Sequence, residues 1–70
     1  MNENIVFYAF RYALGRKTVA VGSVVDYLLE NWDSLSPAIR GLIQAEIETA
    51  IDKGEAGMEM DIKEWSKLLK

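Results

Sequence analysis

The feature that most restricts this chain is the stretch Ile5-Val6-Phe7-Tyr8-Ala9-Phe10-Arg11-Tyr12-Ala13-Leu14-Gly15-Arg16-Lys17-Thr18. It holds four of the seven aromatic residues, and from Ile5 to Leu14 Arg11 is the only charge. Gly15 supplies the left-handed stop that ends many helices, and a basic doublet follows. At about 100° per residue, Val6, Phe10, Ala13 and Leu14 share one side, with Phe7 at its margin, while Tyr8, Arg11 and Tyr12 share the other. A helix apolar nearly all round is expected to be covered on more than one side.

Seventy residues allow one domain, read here as a single helical domain over 1–70. A chain this short buries only about 60% of its unfolded surface, so its stability alone is marginal. It has no Cys to staple it, and without His a zinc site has no ordinary ligand set. Good helix packing together with homo-oligomerisation is the expected remedy. The lack of cysteine fits a reducing compartment. The apolar run has neither a basic flank before it nor a cleavage site after it, and it is too short to span a bilayer. The expectation is a soluble cytoplasmic protein with no membrane partner.

The net charge of −3 argues against direct nucleic-acid binding. Its distribution says more. From Asn4 to Val25 the charges are Arg11, Arg16 and Lys17, with no acid; from Asp26 to Lys70 ten acids face five bases. A basic first third sits on an acidic body.

The pattern predicts an all-α fold of four short helices. The first covers about 4–14, capped by Asn2 or Asn4. Residues 16–22 read as an extended connector between glycines. Ser23 caps a second helix over 23–33, with Asp26 at its third position and Val25, Leu28, Leu29 and Trp32 as its stripe. Ser36-Pro37 opens a third over 37–53, with Ser as cap and Pro where its missing N–H costs nothing. Its stripe is Ile39, Leu42, Ile43, Ile47, Ala50 and Ile51, and Lys53-Gly54 ends it. Gly41 inside this helix points to a close helix–helix contact. Asp61 and Glu64 read as a capping box, and Met60 with Trp65 as a staple, for a last helix over 62–69. Phe10, Leu28, Trp32, Ile43, Ile47 and Trp65 should form the core.

The candidate ligand site is Tyr8, Arg11, Tyr12, Arg16, Lys17 and Thr18. A nucleotide-like ligand needs cations for its phosphate and flat faces for its base, and this segment carries both. The N–H groups after Gly22-Ser23 would add an anion seat. The plain alternative has the tyrosines pointing their hydroxyls outward, Arg11 lying along the surface, and Arg16 and Lys17 satisfying the helix end.

An enzyme is not expected. Without His and Cys the commonest general base and the strongest nucleophile are missing, and Ser23 and Ser36 are explained as caps. No cofactor is called for. Glu55, Glu59 and Asp61 lack the oxygen-ligand spacing of a calcium loop, so no metal is expected. A helix-turn-helix reading fails because Arg40 is the only cation before Lys53 on the would-be recognition helix, against Glu46, Glu48 and Asp52.

Phe10-Arg11-Tyr12-Ala13-Leu14-Gly15-Arg16-Lys17-Thr18 and the later Ala56-Gly57-x-x-x-Asp61-x-x-x-Trp65 resemble small proteins of tailed phages and prophages, over most of the chain. The resemblance transfers no site residues. It implies a phage accessory protein of the host cytoplasm. Such proteins are often anti-defence factors, acting by sequestering a nucleotide immune signal or by binding a host defence protein as anti-CRISPRs do. The chain is therefore read as a binder of a nucleotide-like signal in a homo-oligomer. The alternatives are an inhibitor docking through its acidic helical faces, and a structural or regulatory phage protein.

Overall fold

The computed structural model describes residues 2–16, 19–55 and 57–69, and at Met60 the backbone alone. Four helices follow in order: α1 (Glu3–Ala13), α2 (Val21–Glu30), α3 (Pro37–Lys53) and α4 (Met58–Trp65). Short 3-10 turns at Trp32–Ser34 and Ser66–Leu69 complete the chain, and there is no strand among the described residues. The expected all-α class with four helices is what is seen.

α1 begins on Asn2, whose side-chain oxygen accepts from the N–H groups of Asn4 and Ile5. It closes as its sequence suggests: Gly15 takes φ 78°, and the Arg16 N–H donates to the Ala13 carbonyl at 3.1 Å. The inward side carries Val6, Phe10 and Ala13, all buried, and packs against α2 and α3. Glu3 then reaches across the fold, accepting from the Ser36 N–H at 2.7 Å. That contact fixes the start of α1 to the start of α3.

α3 matches its expected span. Ser36 Oγ accepts from the Ile39 N–H at 3.3 Å, and Gly54 at φ 64° takes the αL turn that ends the helix. Ile43, Ile47 and Ala50 form its buried stripe. Leu42, expected within that stripe, is half exposed, as is Leu29 of α2. Gly41 is also a correction. It is exposed, and a Cβ built there meets nothing within 4 Å, so no close helix contact explains it.

α2 starts at Val21, two residues before the expected Ser23, and Ala20 caps it without a side-chain bond. The reason is burial. The earlier start puts Val21 in register with Val25 and Leu28, and all three are buried. Ser23 is left exposed within the first turn. At the other end the α-helix stops at Glu30, and Trp32 sits half-buried in a 3-10 turn rather than in the core.

The last helix departs furthest. α4 starts at Met58, four residues before the expected 62, so Asp61 and Glu64 lie inside it and no capping box forms. Met58 is 1% exposed, and beginning the helix there places it in the core. The proposed Met60–Trp65 staple involves a side chain outside the described residues. Trp65 is wholly buried, edge-on to Phe10 with ring centroids 5.5 Å apart. Its indole N–H has no hydrogen-bond partner among the described residues. The terminal 3-10 turn buries Leu68, whose carbonyl accepts from Gln44 Nε2 at 2.9 Å.

Candidate functional site

Of the six expected site residues, Lys17 and Thr18 lie outside the described residues. The other four sit on or just after α1. Tyr8 and Tyr12 point outward and are among the most exposed large apolar side chains. Arg11 turns toward α3, its Nη1 3.0 Å from Glu46 Oε1. Arg16 folds back over the helix end: its Nε donates to the Tyr12 carbonyl at 3.2 Å, and its guanidinium lies 4.8 Å from the centre of the Tyr12 ring. The structure therefore does not gather the four into a pocket. It makes a stacked Tyr12–Arg16 pair at the end of α1, with Arg11 on the side facing α3.

The anion seat expected after Gly22-Ser23 is not open. With α2 starting at Val21, the N–H groups of Ser23 and Val24 both donate to the Ala20 carbonyl, at 3.1 and 3.2 Å.

Two hollows open on the surface beside α1. The first, of about 230 Å³, lies between α1 and α3 and is lined by Arg11, Leu14, Glu46, Thr49, Lys53 and Glu55, among others. Two cations, two carboxylates and a hydroxyl meet there. Thr49 and Lys53 were missed from sequence, Lys53 because its place at the end of α3 explains it as a dipole partner. The available signal is spacing: positions 46, 49, 50 and 53 fall on one side of α3. The second hollow, of about 210 Å³, is an apolar groove between α1 and α2, with Ile5, Ala9, Val24 and Tyr27 at its rim and Val6, Phe10 and Leu28 below.

Arg11 is half exposed and Glu46 a third, so their ion pair is of the surface kind, worth about 0–1 kcal/mol. Lys67 is taken up by Glu64 at 2.9 Å, and that hydrogen bond holds its ammonium above the usual lysine range. Asp26, Glu30, Asp33, Glu48, Asp52, Glu55 and Glu59 are exposed and form no ion pair among the described residues. Among the described residues no three His, Cys, Asp or Glu side chains gather as a metal would require. No described helix is long and apolar enough to cross a membrane.

The class defined by these observations is a small all-α domain with an aromatic outer face on its first helix. No protein-family model, curated protein or solved structure matches the chain.

Proposed function

We propose that the protein acts by binding rather than by catalysis, as an anti-defence accessory protein of the tailed-phage kind, and that it takes a small phosphorylated signal at the α1–α3 hollow. The observation that supports this reading is the meeting of Arg11, Lys53 and Thr49 in one hollow. The Arg11–Glu46 contact is a single surface bond worth about 0–1 kcal/mol, whereas a phosphate can take two parallel bonds from the guanidinium. An incoming phosphate can therefore draw Arg11 from Glu46.

The hollow also narrows the ligand. Glu46 and Glu55 balance the two cations, so a ligand of low charge, carrying one or two phosphates, suits it better than a polyphosphate. Its volume is below the roughly 300–1,000 Å³ of a site that encloses a whole ligand. The phosphate and sugar would enter while the base remains at the surface.

Calorimetry with cyclic and linear adenine and guanine nucleotides and ADP-ribose derivatives tests the reading. Arg11→Ala and Lys53→Ala should each weaken binding more than tenfold with the fold intact. If no ligand binds below a dissociation constant of about 1 mM, the reading is dropped.

A second reading has its own observation, the seven exposed carboxylates that form no ion pair among the described residues. They suit an inhibitor docking on a basic, nucleic-acid-binding surface of a host protein. Charge reversal at Glu48 and Asp52 would then abolish activity while the α1 substitutions stayed silent.

A further inference from the structure

We propose that the groove between α1 and α2 is a self-association surface, filled by a second copy of this chain in a two-fold dimer. The argument starts from what lies bare there. Ile5, 65% exposed, and Tyr27, 49%, line the groove, and Tyr8, 72% exposed, and Tyr12, 67%, stand outside it, three residues on from Ile5 and Ala9 along α1. At roughly 150–250 Å² of surface per aromatic side chain, the three tyrosines alone leave on the order of 400 Å² uncovered. Adding Ile5, Ala9 and Val24 brings the patch near the roughly 500 Å² per partner that a specific interface requires. A patch of that size lies within the roughly 300–600 Å² of the largest apolar patch on a monomer, and such patches are often functional.

The patch has the shape needed for pairing with itself. It carries both projecting groups, Ile5 and Tyr8, and the hollow that can receive them, whose floor is Phe10 and Leu28. A two-fold axis needs one surface that is its own complement, with each protrusion of one copy entering the other's hollow. Among the described residues no charged side chain lines the groove.

The charges at its ends fit the same arrangement. α1 and α2 line one groove and are joined by the seven-residue segment 14–20, the short connection of antiparallel neighbours. Arg16 stands at the joined end, just past α1, and Glu30 at the far end of α2. Both are exposed, and neither has an ion pair among the described residues. A two-fold axis running across the helices sets the Arg16 end of one copy over the Glu30 end of the other. The apolar centres meet, and opposite charges meet on both rims.

Sedimentation velocity on the full chain, up to about 100 µM, is the test. The unaltered chain should sediment as a dimer. Ala9→Arg, at the groove's rim, should make it monomeric, and so should Ile5→Glu, whose side chain the core does not use. Far-UV spectra of both should remain helical. Glu48→Arg, on the exposed side of α3, should leave the dimer unchanged. Glu30→Arg should weaken association about tenfold, and Arg16→Glu in the same chain should restore it. A monomer at about 100 µM overturns the proposal. So does a dimer that survives both Ala9→Arg and Ile5→Glu, or a charge exchange that restores nothing.

Discussion

α3 and α4 pack against one another, yet they begin in opposite ways. α3 is entered through Ser36, whose side chain caps it, then Pro37, and it is left through Gly54. α4 is entered through Gly57 at φ 87°, with no side-chain cap, and its first residue is the buried Met58. α2 starts in the manner of α4, on Ala20 without a cap and with Val21 buried. One helix carries its boundaries in its own residues, and the other two take theirs from what the rest of the molecule will bury. Capping contributes about 1 kcal/mol, whereas burying a large aliphatic side chain contributes about 1.5–3. Where the two compete, as at Asp61 and Met58, burial places the start.

The contrast is broken most directly at Met58. If core burial places the start of α4, Met58→Ala should cost about 2–5 kcal/mol, through lost burial and the cavity left behind. For a domain of this size that is a large share of total stability, read as a fall in the denaturant midpoint. A variant as stable as the parent would mean that α4 is placed by its own residues after all. A smaller effect separates the two serines. Ser36→Ala should cost about 1 kcal/mol, roughly 4–8 °C in Tm, because it removes a cap. Ser23→Ala should move Tm by no more than about half that, because Ser23 caps nothing. Equal losses would erase the distinction between α3 and α2. The smallest change is expected inside α3. Gly41→Ala should raise stability by up to about 1 kcal/mol, since the site is exposed and open space surrounds the new methyl. A loss would restore the close contact first expected there.

These differences decide what was legible. α3 could be read to the residue because Ser36, Pro37, Lys53 and Gly54 act within one turn of themselves. The end of α1 was legible for the same reason, through Gly15. Phe10, Leu28, Ile43, Ile47 and Trp65 were correctly placed in the core by periodicity, while Trp32 was not, because α2 ends before reaching it. The starts of α2 and α4 depend on partners far along the chain, which local patterns do not contain. The candidate site shows the same limit. Tyr8, Arg11, Tyr12 and Arg16 are neighbours in sequence, and their exposure on α1 could be anticipated. That Arg11 pairs with Glu46, and that Thr49 and Lys53 share its hollow, depends on how α1 lies on α3.

The two ties on α3, Glu3 to the Ser36 N–H and Gln44 to the Leu68 carbonyl, bear on when this protein can fold as it is made. The central helix holds a residue from near the start of the chain at its first turn and one from near position 70 along its length. Leu68 is buried against what comes before it, so the core cannot close while that residue is still inside the ribosome. Nascent α1 and α2 would wait with Phe10 and Leu28 uncovered, exposed to chaperones and to other copies of the same chain. Folding of this domain therefore waits until Leu68 has left the ribosome, and a ribosome paused before that residue would display an unclosed core.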